Sequence, residues 1–287
     1  MESPVYRGYD QRTLDRQYSP SSCVSDLSVF VDRYTGDSEK ARVELEVRRG
    51  IPYGHEPSET LDFFPAASRN APLVVFVHGG YWQELSKDES SFPAPGLVGA
   101  GAAFAALGYG LAPEYRLDEI VAQVRRALHW LLEHAVELGV DPGRVHLSGS
   151  SAGAHLVLTA LLDDWLPGGR HPADAFAGAV LLSGVFDLEP VRHTYVNRPL
   201  GLDAAAAARL SPIHRLPARL PALVVARGGV ETEEFGRQQD DLVRAVRPRA
   251  AAVREIVAAD RNHFDLPFDL SDPASELGAA VFAQVGL

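Results

Sequence analysis

Apolar residues in this chain collect in short runs, and the runs alternate with longer stretches of helical periodicity. Leu73–Val77, Ala102–Leu107, Ala179–Val185 and Leu223–Ala226 are each nearly continuous in apolar side chains, and Val253–Val257 follows as a further short segment. Such runs suit strands buried on both faces of a parallel sheet. Arg144–Ser148 reads as a further strand, entered after the Asp141-Pro142-Gly143 break. Between them, Leu117–Leu138 repeats as an amphipathic helix with Ile120, Val121, Val124, Leu128, Leu131 and Leu132 on one face. Ala152–Leu162 reads as another helix, and a C-terminal one starts near Ala274. Val43, Leu45 and Val47 alternate with charged residues, which predicts a half-exposed strand, with Leu61–Phe64 as its partner. Residues 1–40 mix aromatic and polar side chains and read as a surface wrap. Strands alternating with helices predict the α/β class, a mostly parallel sheet covered on both faces. No linker splits the pattern, so residues 1–287 read as one domain. Residues 187–220, rich in Arg, Pro and Ala, read as a small cap-like insertion.

One of these strand-to-helix junctions carries chemistry. Gly149-Ser150-Ser151-Ala152-Gly153 has the spacing G-x-S-x-G. In a nucleophile elbow that pattern ends a strand, turns sharply and starts a helix under an exposed serine. The strand before it and the helix after it supply the required setting, and they specify an α/β-hydrolase fold with Ser151 as nucleophile. A serine hydroxyl needs a base to take its proton, and in this fold the acid and then the histidine follow the serine along the chain. Of the ten histidines, His55, His78, His129, His134 and His146 precede Ser151, and His155 lies one helical turn past it. His171, His193 and His214 come before the last strands. His263 remains, in the loop Asp260-Arg261-Asn262-His263-Phe264-Asp265. The acid that orients the imidazole is read as Glu231, just beyond Leu223–Ala226, with Asp187 as the other acid in reach. Glu233 and Glu234 suit the first turn of a helix instead.

An acyl-transfer intermediate also needs donors for its oxyanion. The backbone N–H of Ala152 is one. Others are expected from His78-Gly79-Gly80-Tyr81-Trp82, where Gly79 and Gly80 allow close backbone approach. His78 is read as orienting that loop. Tyr81 and Trp82 are read as an aromatic wall beside the nucleophile.

Composition narrows the remaining options. A formal charge of −11 argues against nucleic acid and anionic membranes as partners. Cys23 is the single cysteine, so no internal disulfide and no cysteine-based metal cluster is expected, and a reducing, cytoplasmic home is the simplest reading. No apolar run approaches the roughly 20 residues that span a bilayer, and residues 1–17 lack the apolar core of a secretory signal. There is no H-E-x-x-H and no phosphate-binding glycine motif. No metal and no cofactor is therefore implied.

Taken together, HGGYWQ (78–83), LSKDESSF (85–92), LAPEYRLDEIV (111–121), GSSAGAHL (149–156), SGVFDLEP (183–190), TEEFGRQ (232–238) and NHFDL (262–266) resemble the α/β-hydrolase-type kynurenine formamidases, also called arylformamidases. YDQRTLDRQYSPS (9–21) is similar too, so the resemblance covers nearly the whole chain. It implies a triad of Ser151, an acid at 231 and His263, with oxyanion donors at Gly79, Gly80 and Ala152. It also implies cleavage of N-formyl aryl amines to formate and free amine. Carboxylester hydrolysis, or deformylation of a related aromatic intermediate, is the alternative. Two positions depart from the family: glutamate stands at 231 where aspartate is usual, and Ser150 where histidine is common. The aryl group is expected against Tyr81, Trp82, Ser150, Phe186 and Phe264. A substrate carboxylate would fall to Arg192, Asn197 or Arg198. The expected partner is a small aromatic formamide or ester, and a homodimer is left open.

Overall fold

The computed structural model describes residues 4–287. Eight strands form one sheet: β1 (Arg48–Pro52), β2 (Thr60–Phe64), β3 (Ala71–Val77), β4 (Ala103–Leu107), β5 (Val140–Ser150), β6 (Gly178–Leu182), β7 (Ala222–Val230) and β8 (Val253–Asn262). Their order is β1-β2-β4-β3-β5-β6-β7-β8. The first two pairings, β1 with β2 and β2 with β4, are antiparallel, and every later one is parallel. The helices are α1 (Gln11–Gln17), α2 (Ser28–Glu44), α3 (Ala94–Gly99), α4 (Leu117–His134), α5 (Ala152–Ala160), α6 (Pro172–Ala175), α7 (Asn197–Leu200), α8 (Ala204–Leu210), α9 (Glu233–Val246) and α10 (Glu276–Val285).

The continuous apolar runs become the central strands because both of their faces are covered. β3, β4 and β6 are buried at every position. One face packs beneath α4 and α5, with Leu73, Val75, Leu147, Leu128 and Leu158 in one core. The other packs against α3 and α10 through Val74, Phe76, Leu97 and Val281. Two apolar layers on one sheet account for the α/β class read from the pattern.

The strand expected over Val43, Leu45 and Val47 is displaced. Val43 lies in the last turn of α2, three-quarters exposed, and strand geometry starts at Arg48. Its partner is the expected one, since Arg48 pairs with Phe63 and Ile51 with Leu61. The opening residues are also more regular than a surface wrap. They form α1 and α2, and α2 buries Tyr34, Ser38 and Ala41. β5 runs through the Asp141-Pro142-Gly143 break, which appears as a register shift against β3. No described helix is long and apolar enough to cross a membrane.

Candidate active site

The serine sits on a strained turn. Ser151 joins the end of β5 to α5 with φ 56° and ψ −117°, a conformation uncommon for a residue with a side chain. Its N–H donates to the Leu182 carbonyl at 2.7 Å, which pins the turn to the neighbouring strand. The turn closes tightly on β3: a Cβ at Gly153 would lie 2.0 Å from the Val77 carbonyl oxygen. Only glycine admits that approach, so the elbow spacing is a packing requirement. Ala152, the first residue of α5, is buried directly behind the serine.

The imidazole and the carboxylate meet. β7 ends at Val230, so Glu231 leaves the sheet at the C-terminal edge, and β8 delivers His263 from the adjacent strand. His263 Nδ1 lies 3.0 Å from Glu231 Oε2, and both side chains are almost wholly buried. The other carboxylate oxygen, Oε1, accepts the Ser183 hydroxyl and the Gly228 N–H, each at 2.6 Å. With both oxygens engaged, the carboxylate is held oriented toward the ring. Phe235 and Phe264 stand edge-on to the imidazole, with centroids 4.7 and 5.2 Å away. Asp187 turns elsewhere: its Oδ1 faces His214 Nε2 at 3.5 Å. Of the two acids in reach, Glu231 is the one beside the imidazole.

The glycine loop lies against the serine. A Cβ at Gly79 would be 3.2 Å from Ser151 Cβ and 3.0 Å from the Ser150 carbonyl oxygen. His78 is buried and stacks on Tyr109 at 4.0 Å. Burial pushes its imidazole down to about 4, so the ring is neutral near pH 7. Nδ1, 2.9 Å from the Gly79 carbonyl, then carries the proton and donates it. Tyr109 also donates its hydroxyl to the His78 carbonyl at 2.8 Å. These bonds orient the loop, the role expected for His78. His155 is likewise buried and held near 4 by desolvation, its Nε2 2.8 Å from the Leu210 carbonyl.

Two connected spaces open on Ser151 and His263. An inner chamber is walled by Val31, Tyr34, Phe76, Phe92, Phe264 and Pro267, with Ser150 and Gly79 beside the serine. An outer mouth is bounded by Pro20, Tyr81, Gln83, Tyr195 and Val196. Three of the five aromatic-wall and neighbour residues expected from the sequence therefore line these spaces: Tyr81, Ser150 and Phe264. Trp82 does not. It has no exposed surface and lies edge-on to His155 beneath the loop, because Tyr81 and Trp82 both have positive φ and the turn directs the indole into the core. Phe186 is also corrected to core. It is 1% exposed, and its ring packs against Gly184. Arg192, Asn197 and Arg198 line a separate cleft. Arg192 is paired with Glu189 at 2.7 Å, and Asn197 caps its own loop through Leu202.

Several contributors carried no plain signal. Ser183, at the end of β6 with φ 46°, holds Glu231. Leu27, Val31 and Tyr34 of the α2 region cover the chamber, where a cap from residues 187–220 was expected; that segment brings Tyr195 and Val196 to the mouth. The serine at the end of an apolar run was the available hint for Ser183. Nothing in the α2 pattern pointed inward.

Residues 61–165 match the BD-FAE family model. Kynurenine formamidase of Danio rerio is 32% identical, over 98% of this chain and 98% of its own length. The chain belongs to the kynurenine formamidase family. Kynurenine formamidase of Salmo salar is 35% identical over 84% of each chain. Among solved structures, a protein described provisionally as a thioesterase, from Silicibacter sp. TM1040, superposes with a TM-score of 0.80. It is 31% identical and covers 93% of this chain and 98% of its own. In this member of the family the Ser183 hydroxyl and the Gly228 N–H bind the second oxygen of Glu231.

Proposed function

We propose that this chain is a serine hydrolase that cleaves N-formyl aryl amines to formate and the free amine. The observation that carries the reading is the buried 3.0 Å pairing of Glu231 with His263, on the wall of a chamber that also exposes the strained Ser151. His263 Nε2, the nitrogen turned away from Glu231, takes the Ser151 proton as the oxygen attacks the formyl carbon. The negative charge that forms on the former carbonyl oxygen is received by the N–H groups of Ala152 and the Gly79–Gly80 loop. As the C–N bond breaks, His263 returns the proton to the departing aryl nitrogen, which leaves poorly unprotonated. A formyl ester of Ser151 and the free amine result. Water, deprotonated by His263, then attacks that ester and releases formate. Glu231 stabilises the imidazolium in both halves.

Formyl demands almost no acyl space, so the aromatic chamber is free to take the aryl ring. Residues 187–220 are read as a rim over the mouth, with α2 as the chamber's cover. One observation supports a second reading. The chamber wall of Val31, Phe76, Phe92 and Pro267 is apolar, which also suits the acyl chain of an ester or thioester.

Direct measurement of formate released from N-formylkynurenine and formanilide, beside p-nitrophenyl acetate, tests the assignment. Comparable or faster formamide turnover is expected in kcat/KM. Ester turnover faster by orders of magnitude would reassign the chain to the carboxylesterases.

A further inference from the structure

The loop that carries His263 is braced by α2, a helix with no part in the chemistry. α2 reaches Phe264, the residue after His263, through two side chains one turn apart. The Phe30 ring lies 5.9 Å from the Phe264 ring, and the Tyr34 hydroxyl donates to the Phe264 carbonyl. Among the described residues no other donor reaches that carbonyl. Phe264 in turn stands edge-on to the imidazole, with centroids 5.2 Å apart.

The turn around His263 satisfies its N–H groups locally. Asn262 Oδ1 accepts the N–H groups of Phe264 and Asp265 at 2.8 and 3.1 Å, and Asp265 Oδ1 accepts the Asn262 N–H at 2.6 Å. Those bonds shape the turn without tying it to another element. Tyr34 supplies a tertiary tie, and its own ring has little freedom. It is buried and packs against both Phe92 and Phe268, with centroids 5.0 Å away in each case. Ser38, one turn further along α2, accepts the N–H groups of Ser91 and Phe92 at 2.9 and 3.0 Å. The helix is thereby fixed to the segment that carries Phe92, another wall of the chamber. Burial first, and the Asp265 charge second, push the phenol well above its ordinary pKa, so the hydroxyl keeps the proton it donates.

The 3.0 Å contact between His263 Nδ1 and Glu231 Oε2 joins two different loops. It survives only while the loop after β8 keeps its place, and a misplacement of about 1 Å can cost on the order of 100-fold in rate. We propose that Tyr34 is a positioning residue for His263: its hydroxyl holds the Phe264 carbonyl and so fixes the imidazole against Glu231. Tyr34 exchanges no proton with the substrate. The inference rests on His263 acting as the base and goes beyond that reading by naming what aligns it.

Tyr34→Phe tests this in the full chain, since it keeps the ring on the chamber wall and deletes only the O–H. Turnover of formanilide and of p-nitrophenyl acetate is measured side by side. Because one imidazole serves both substrates, kcat should fall about tenfold for each, by the same factor, with KM within about twofold of wild type. The low-field proton resonance of His263 Nδ1–H, absent in His263→Ala, should broaden through faster exchange with water. Wild-type kcat with an unchanged resonance overturns the proposal. So does a loss confined to KM or to formanilide, which would make Tyr34 a wall contact only. Should Tyr34→Phe fail to fold, Phe30→Leu carries the test through the other contact to Phe264, with the same two outcomes. Full activity in His263→Ala would sink the base assignment and this inference with it. Wild-type inactivity on formanilide alone would sink the formamidase reading and leave the test standing on the ester.

Discussion

Ser183 donates its hydroxyl to Glu231 Oε1 at 2.6 Å, while the opposite oxygen of that carboxylate faces His263. A glutamate has one more rotatable bond than the aspartate usual in the family, so it needs a fixed second oxygen to present the first one steadily. Ser183→Ala leaves only the Gly228 N–H on Oε1. A hydrogen bond to a charged group is worth about 1.5–3 kcal/mol, so kcat should fall roughly 10- to 100-fold with KM little changed. Ser183→Thr, which keeps the hydroxyl, should recover part of the loss. Wild-type kcat in the alanine variant would remove Ser183 from the positioning role.

The three members of the proposed triad should not contribute equally. Ser151→Ala and His263→Ala should each lower kcat by roughly 10⁶-fold, and Glu231→Ala by roughly 10⁴-fold, because the members act as a unit and the acid is the least costly to lose. Circular dichroism and melting should show the fold retained. A fluorophosphonate probe should modify Ser151 in the wild type and leave Ser151→Ala unlabelled. Near-wild-type rates in Glu231→Ala would shift the acid's role to Asp187.

How far the chain could be read before folding follows from where direction matters. The central strands were plain because burial on both faces leaves nothing but apolar residues in β3, β4 and β6. The elbow was plain because its glycine spacing is demanded by backbone contact. α2 was missed because the residues it buries, Tyr34, Ser38 and Ala41, include a serine and an alanine and so make no apolar stripe. Ser38 is there to accept the N–H groups of Ser91 and Phe92, a tertiary role with no local pattern. Trp82 and Phe186 were placed at the substrate because sequence gives proximity to a loop without the sense in which its side chains point. The positive φ of Tyr81 and Trp82 decides that sense, and it comes from the turn as a whole.

Tyr81 shows the same loop from the other side. Its buried hydroxyl, raised well above its ordinary pKa by desolvation, stays protonated and donates to the Tyr18 carbonyl at 2.7 Å. Gln17, one residue earlier, accepts the Thr232 hydroxyl on its carbonyl at 2.6 Å, and its side-chain oxygen accepts the Glu234 N–H at 3.1 Å. The end of α1 thus braces the glycine loop and the strand end that carries Glu231. Tyr81→Phe removes the shorter of the two hydrogen bonds to the Tyr18 carbonyl and leaves only the Tyr195 hydroxyl at 3.4 Å, a loss of about 1–2 kcal/mol. The melting temperature should drop by about 2–4 °C, and kcat should fall several-fold. An unchanged Tm and kcat would show that the brace carries no load.

The chamber wall can be tested without touching the reacting groups. Val31 of α2 is partly buried and faces the chamber. Val31→Trp fills that space with an indole. Aryl formamide turnover should then drop at least about tenfold, mostly through KM, since the lost contact is a binding one. Labelling by a small fluorophosphonate should persist, because the serine itself remains open through the mouth. Equal loss of labelling and turnover would mean that the substitution disturbs Ser151 directly.

Three buried histidines make the fold sensitive to acid. Burial lowers His78, His146 and His155 to about 4 each, with the Arg144 charge adding to the effect at His146. An unfolded histidine titrates near 6.5. Between about pH 4 and 6.5 the unfolded chain therefore binds protons that the folded chain refuses, so stability rises with pH across that window and is lost on acidification. Each group accounts for roughly 3 kcal/mol by pH 4, to within a factor of two. Urea denaturation midpoints should fall steadily from pH 7 to pH 4.5, with the steepest change below pH 6. His155→Gln should flatten that slope whatever it does to absolute stability, since the slope counts protons and the midpoint counts contacts. A midpoint that holds constant from pH 7 to 4.5 in the wild type would mean that these rings are protonated in the fold, each paired with an acceptor.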